Sequence, residues 1–481
     1  MACVAIFTSI VFLLMLTFYY HNFLVQNAMR NVALMIVFFV IILFVGYLLI
    51  KIKTDNKKTN AIILTTMLLA FGIVALMWVL NVPNQQLSDF GNFWSRAPGF
   101  FNGDKLYNTD NDYFSKYAYQ SGFMAYILAI VKIFGFNIFA VQFFNVIYQV
   151  LTLLVTYLLA NKIFNNIKIA RLSVLLLMVD LDWFALNSQA DNQYLGSLLY
   201  LVTFYILFQD KLWSYILAGV TLAAGCLIRP IGPVMIAGII VFALIYVLMK
   251  HRDYKTSLKF LLTLATYFVL FSLAGVGIKA SGINSYGLSN HDPEWKFLTG
   301  LNYQSGGTYS NDLNKFIDPN KSRAQMSKVE KVQLNKQIKY LNDNNAWLKL
   351  FINKTQTLWS SRTLATDFTN YSTTHSPHTV EIVNYLAYMG SIVLIVFSWI
   401  GSLTMFKTKF DDKFYLLLLP LMAFAVANLI IEVQGRYRIE FLPIISIMAG
   451  LGIYKTILSI SNIHSKSKVS KSLENKINAN N

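Results

Sequence analysis

Long apolar runs separated by short polar segments dominate the chain. A membrane-crossing helix needs about 20 mostly apolar residues. The runs predict twelve spans, at 3–20, 31–50, 61–80, 138–160, 172–188, 191–208, 212–228, 231–249, 258–278, 382–404, 414–431 and 441–460. Residues 121–136 are apolar but too short to cross, which favours a re-entrant or interfacial helix. The first run lacks a basic start and a small-residue cleavage site, so we interpret it as an uncleaved span.

The composition excludes most other classes of protein. Apolar residue types make up 56% of the 481 residues and charged types 13%, whereas a soluble chain carries roughly 25% charged residues. A soluble enzyme, a disordered chain and a fibrous protein are therefore excluded, and continuous rather than alternating apolar runs argue against a membrane barrel. We predict an all-α polytopic membrane protein with about 12 transmembrane helices, juxtamembrane helices and two large outer loops.

The distribution of basic residues predicts the orientation. Basic loops facing the cytoplasm account for the net charge of +17 without a nucleic-acid partner. With the N-terminus inside, the inner segments hold 18 Lys and Arg in 62 residues, and the short outer segments hold 8 in 80. Both termini are therefore expected in the cytoplasm, and segments 81–120 and 279–381 outside. Within the second, residues 323–352 predict one amphipathic helix on the membrane surface.

The chain is expected to divide into five parts. They are two additional N-terminal spans (1–60), a catalytic membrane module with the outer loop 81–120 (61–278), an outer loop or cap (279–381), C-terminal spans (382–460) and a cytoplasmic tail (461–481).

Carboxylates at outer span ends are the first candidates for chemistry, because ionisable groups there are costly and tend to face a cavity or a partner. Asp89 follows the third span and is either a general base or a solvated loop carboxylate. Asp191 lies in a tight outer turn, where capping the next helix is an equally good explanation. Asp180 and Asp182 lie nearby on the preceding span and cannot be caps if that span is placed correctly.

Arginines at outer span ends are the second group. Arg229, followed by Pro230, is suited to hold a phosphate through its guanidinium, or alternatively extends to the interface. Arg436 and Arg438 lie between the last two spans, where basic residues are disfavoured unless they bind something. The polar and aromatic residues assigned to possible sugar or acceptor contacts are Trp94, Arg96, Tyr119, Gln120, Gln434 and Tyr437.

The order of these features resembles the C-type integral-membrane glycosyltransferases, which include protein O-mannosyltransferases and the aminoarabinose transferase acting on lipid A. The resemblance covers roughly residues 60–460. It is carried by Asp89, the short helix 121–135 ending in Phe-Gly, the Gln142, Asn145 and Gln149 span, Asp191, Arg229-Pro230, and Gly-Arg-Tyr-Arg before Pro443. Two spans precede the family pattern, and Tyr119-Gln120-Ser121-Gly122 replaces the usual Tyr-Pro-Pro or His-Pro-Pro, which leaves the acceptor open.

The resemblance implies a function. The donor would be a sugar linked to a polyprenyl or dolichyl phosphate, and the site would face away from the cytoplasm, across the cell membrane. Asp89 would deprotonate the acceptor hydroxyl of a glycan, lipid or protein, with Asp191 as the second catalytic candidate. Arg229, Arg436 or Arg438 would stabilise the leaving phosphate. Some relatives hold a divalent metal ion between outer carboxylates, and Asp89 with Asp191 would do so here.

Two other functions remain open at this point. A transporter would show similar halves and matched broken helices, neither of which the sequence displays. A polysaccharide ligase or polymerase would instead depend on Arg and His residues of the large outer loop.

Overall fold

The computed structural model describes residues 1–106, 113–360 and 363–478, and the regular structure in those ranges is helical. Both predicted outer segments contain a few residues outside the described ranges. Nine helices in the described part are long and apolar enough to cross a membrane: Ala2–Leu24, Asn27–Lys51, Lys57–Asn81, Ile138–Phe164, Gly232–Lys250, Tyr254–Ala280, Pro377–Lys407, Asp412–Ile430 and Gly435–Asn462. Three shorter apolar helices are Ala118–Phe134, Gln193–Leu207 and Leu212–Ile228. The predicted all-α polytopic fold is confirmed.

Two helices form the centre of the bundle. Pro377–Lys407 and Gly435–Asn462 are its most buried long helices and pack against each other. At their crossing, a Cβ on Gly452 would lie 1.9 Å from the carbonyl oxygen of Phe397. Only glycine permits this close approach, which is how helices gain contact in lipid, where apolar association alone contributes little.

The predicted span 172–188 is wrong as a single helix. Helix Ile167–Met178 ends early, and the chain continues as the short helix Leu181–Phe184 and a 3₁₀ turn at Ala185–Ser188. Carbonyls released by this break accept hydrogen bonds from amide side chains of helix Ile138–Phe164. The pairs are Gln149 to Phe184 at 3.1 Å, Asn145 to Asn187 at 3.2 Å and Gln142 to Ser188 at 2.9 Å. Irregular backbone is therefore tolerated here because neighbouring side chains satisfy it.

The same irregular segment holds the chain that leads to Asp89. The backbone N–H of Leu87 donates to Gln189 Oε1 at 3.0 Å, and Gln86 Nε2 donates to the carbonyl of Ser188 at 3.1 Å. Helix Ser88–Ser95 starts directly after this attachment. The position of Asp89 is thus set by the interior of the bundle.

The predicted amphipathic helix 323–352 is wrong in extent. The structure has two helices there, Arg323–Asp343 and Trp347–Trp359. Between them Asn345 adopts φ +50°, a left-handed conformation that asparagine tolerates better than most residues. After the break, the second helix packs beside helix Asp412–Ile430.

Candidate active site

A cavity of 910 Å³ lies where helices Lys57–Asn81, Leu212–Ile228 and Asp412–Ile430 end. Its lining comes from segments that are distant in sequence. They include Ser88, Asp89, Asn92 and Arg96; Tyr113, Lys116, Tyr117, Tyr119 and Gln120; Arg229, Pro230, Ile231, Pro233 and Val234; Lys296, Phe297 and Tyr309; and Phe424, Ile431, Glu432, Gln434 and Tyr437. One chamber therefore joins polar, basic and aromatic groups at the predicted outer end of the bundle.

Asp89 lies in the first turn of helix Ser88–Ser95, where the helix dipole favours a negative charge. Its side chain lines the cavity, is 22% exposed and forms an ion pair with Arg436. The carboxylate is therefore reachable from the cavity and held in one orientation by a cation.

Arg436 reaches Asp89 from the 3₁₀ turn Gly435–Phe441 that opens the last membrane helix. Its Nε donates to Gln434 Oε1 at 2.8 Å, and the guanidinium lies 4.9 Å from the centre of the Phe90 ring. The side chain is buried behind the cavity wall at 3% exposure. These contacts fix the guanidinium next to the carboxylate.

Arg229 forms a second buried ion pair, with Glu440. The guanidinium also lies 4.9 Å from the Tyr437 ring centre, a cation–π distance. Glu440 accepts a further hydrogen bond from Gln193 Nε2 at 2.9 Å. Arg229 lines the cavity, and its partner keeps the charge in place there.

Lys296 is a cation of the cavity that the sequence did not reveal. It comes from the outer loop, on helix Trp295–Gly300, and its Nζ lies 2.6 Å from Glu432 Oε2. The amine also lies 5.0 Å from the Tyr117 ring centre and 5.6 Å from that of Tyr437. Burial alone would lower the pKa of Lys296, but the Glu432 carboxylate raises it well above its usual value. Lys296 thus stays charged at neutral pH.

Of the six residues assigned to sugar or acceptor contacts, five line the cavity and one does not. The five are Arg96, Tyr119, Gln120, Gln434 and Tyr437. Trp94 instead stacks on Phe136, with ring centres 4.4 Å apart.

Asp191 and Arg438 lie inside the bundle rather than on the cavity wall. Asp191 is buried and accepts the backbone N–H of Gln193, the first residue of the next helix, at 3.0 Å. Arg438 forms an ion pair of 2.8 Å with Asp182. Asp182 also accepts the backbone N–H groups of Leu364 and Ala365 from the outer loop. Asp191 and Arg438 therefore have the contacts expected of residues that stabilise the fold.

Among the described residues, no three or more His, Cys, Asp and Glu side chains are grouped so that they could hold a metal ion. Asp89 lies against a guanidinium, and Asp191 is directed toward a backbone N–H. A metal ion shared by Asp89 and Asp191 stays a prediction.

A match to a known protein family supports the resemblance. Residues 122–274 match a family described as dolichyl-phosphate-mannose-protein mannosyltransferase. This region contains Asp191 and Arg229 but neither Asp89 nor Arg436. No curated protein matches the chain. Among solved structures, the chain is similar to ArnT from Cupriavidus metallidurans bound to undecaprenyl phosphate, with 13% identity, a TM-score of 0.36, and coverage of 82% of this chain and 76% of that one. The family match indicates a membrane glycosyltransferase.

Proposed function

We propose that the protein transfers a sugar from a polyprenyl-phosphate-linked donor to an acceptor hydroxyl in the cavity. The observation that carries this proposal is that Asp89 and Arg229 line one chamber, while Arg436 is held against Asp89 from behind its wall. These residues are separated by 140 positions or more, and each follows a different membrane helix. A carboxylate and two guanidiniums at one membrane edge suit proton removal beside a phosphate leaving group.

The lining of the cavity supports a lipid-linked donor, the type named in the description of the matched family. Basic groups occupy one region, whereas Ile231, Val234, Phe424 and Ala427 form an apolar wall between two membrane helices. A donor with a phosphate between an apolar tail and a sugar would match this division. Arg229 and Lys296 would hold the phosphate, because cationic donors bind its oxygens strongly, and Arg436 would add positive charge from behind Asp89.

The transfer follows from this arrangement. Asp89 accepts the proton of the acceptor hydroxyl while that oxygen bonds to the anomeric carbon. The bond from the anomeric carbon to the phosphate oxygen breaks, and its electron pair leaves with the polyprenyl phosphate, which inverts the anomeric centre. A positioned base contributes about 10²–10⁴-fold to such a step, and the fixed cations stabilise the growing charge on the phosphate.

The remaining residues receive roles according to their placement. Tyr119, Gln120, Gln434 and Tyr437 present hydroxyl and amide groups to the sugar or the acceptor, and Arg96 extends the basic lining. Asp191 and Arg438, by contrast, hold the backbone around the site. The cavity faces outward across the cell membrane, in agreement with the distribution of basic residues, and the acceptor is a glycan, lipid or protein of the cell envelope.

The test is release of polyprenyl phosphate by purified protein in liposomes, supplied with polyprenyl-phosphate hexoses and pentoses and an envelope extract as acceptor. We expect acceptor-dependent release by the wild type and a loss of at least about 10²-fold in Asp89→Asn. Asp104→Asn, an exposed carboxylate of the same outer segment, is the matched control and should behave as the wild type. Near-normal turnover by Asp89→Asn would remove Asp89 from the catalytic role. Movement of sugar across the bilayer without release of polyprenyl phosphate would favour a transporter.

A further inference from the structure

Lys354 is a buried lysine of the outer loop that the proposed reaction does not use. It lies on helix Trp347–Trp359 and is 1% exposed. Its Nζ donates to two backbone carbonyls, those of Gly300 and, at 2.9 Å, Ile431. Within the described residues its hydrogen bonds go to carbonyls rather than to a carboxylate. A buried amine is costly unless its donors are satisfied, so these two contacts define what the side chain does.

The two carbonyls belong to two walls of the cavity. Gly300 ends the short helix that carries Lys296, and Ile431 directly precedes Glu432. Two backbone hydrogen bonds of 2.9 Å join the same walls, from Glu432 N to the carbonyl of Lys296 and from Val433 N to that of Gly307. Lys354 therefore adds two hydrogen bonds at a seam between the outer loop and the segment 431–434.

The seam leads to the reacting groups through an unbroken series of contacts. Glu432 pairs with Lys296 and accepts Gln434 Nε2 at 2.9 Å. Gln434 in turn accepts Arg436 Nε at 2.8 Å, and Arg436 pairs with Asp89. A shift of segment 431–434 would consequently move one cation and loosen the orientation of another.

We propose that Lys354 is a positioning residue: it fixes segment 431–434 against the outer loop and thereby sets the geometry of Lys296 and Arg436. The kinetic consequence rests on the glycosyl transfer proposed above, whereas the structural attachment does not. Displacements of about 1 Å remote from the chemistry can reduce rates by about 10²-fold. A residue outside the cavity can therefore control turnover without touching the substrate.

Gly307 supports the assignment independently. A Cβ on Gly307 would lie 2.8 Å from both Cδ and Cε of Lys354 and 2.9 Å from the carbonyl oxygen of Gly300. Its φ of +77° also disfavours other residues. The lysine stem therefore passes over a position where a side chain would displace it, which provides a second way to disturb the seam.

The experiment compares Lys354→Met with Lys349→Met. Methionine keeps most of the apolar stem of Lys354 and removes its donors, and Lys349 is an exposed lysine of the same helix. Hydrogen exchange is measured by mass spectrometry on peptides that contain Glu432 and Val433, alongside kcat and donor KM for release of polyprenyl phosphate. In Lys354→Met we expect exchange to accelerate about 10-fold or more and kcat to fall about 10-fold or more, with a smaller change in donor KM. Lys349→Met should match the wild type in both.

Each outcome bears on the proposal. Unchanged exchange in Lys354→Met overturns the attachment, and faster exchange with unchanged kcat overturns the positioning role. If Lys354→Met does not fold, Gly307→Ala provides the same two readouts and the same expected directions. Failure of the wild type to release polyprenyl phosphate overturns the proposed transfer alone, because the exchange comparison still decides whether Lys354 holds the segment.

Discussion

The ion pair between Arg229 and Glu440 allows a test of whether Arg229 binds phosphate or only stabilises the fold. Arg229→Met removes a cation that lines the cavity and leaves the fully buried Glu440 side chain with the hydrogen bond from Gln193 but without its ion pair. Removal of one partner of a buried pair typically costs about 3–5 kcal/mol, because the other charge remains uncompensated. The single variant is therefore expected to lose stability whether or not Arg229 binds phosphate.

A double variant, Arg229→Met with Glu440→Gln, removes the uncompensated charge. Glutamine retains the shape of Glu440 and can still accept from Gln193, so most of the lost stability should return. The phosphate contact does not return, since neither new side chain is cationic. A hydrogen bond to a charged group contributes about 1.5–3 kcal/mol, which corresponds to an increase of about 10- to 150-fold in the apparent donor KM.

The assay is thermal unfolding in detergent together with donor and acceptor titration of the reconstituted protein. Arg323→Met, an exposed arginine of the outer loop, is the control for loss of a positive charge. We expect the double variant to unfold near the wild-type temperature, to need more donor and to keep its acceptor KM. If the double variant recovers both stability and donor KM, Arg229 is structural and the phosphate binds elsewhere.

Three further outcomes are expected. A single cysteine at position 320, in a background without the native cysteines, should be labelled by an impermeant reagent in intact cells, and labelling only after permeabilisation would reverse the orientation. Arg438→Met should lower the unfolding temperature without changing donor KM, because its ion pair with Asp182 lies inside the bundle, and an increase in donor KM would return Arg438 to the phosphate site. Burial lowers the pKa of Lys354 to about 7, so between about pH 7 and pH 10 the unfolded chain binds the extra proton and the folded state gains stability as pH rises. The unfolding temperature of the wild type relative to Lys354→Met should increase across that window, and a constant difference would contradict the lowered pKa.

Hydropathy predicted most of the bundle, but it could not predict where a helix breaks. Residues 172–188 are apolar enough to suggest one span, yet Asp180 and Asp182 are buried carboxylates that bond to Ser391 and Arg438. The break also depends on amide donors from helix Ile138–Phe164, about 40 residues earlier in sequence. A hydropathy average over neighbouring residues carries no information about contacts with distant segments.

The site was predicted in part for a related reason. Asp89, Arg229 and Arg436 stood out because ionisable groups are disfavoured at an outer membrane edge, a property that each residue shows by itself. The partners of these residues could not be predicted, because tertiary contacts determine them. Asp89 and Arg436, for example, are 347 positions apart. Lys296 carried no signal, since a lysine in a long outer loop is unremarkable in sequence and becomes informative only beside Glu432.

The cations around the cavity share one feature that constrains how the site works. Arg229, Arg436 and Lys296 are each paired with a carboxylate of the protein itself. Like charges gathered around one cavity repel one another, so such a cluster would spread apart without its counterions. The pairs instead hold the donors in fixed directions, which is what stabilisation of a developing phosphate charge requires. In the proposed function, the donor phosphate would join these ion pairs rather than replace them. Removal of one of the carboxylates is therefore expected to disorder its cation and weaken donor binding.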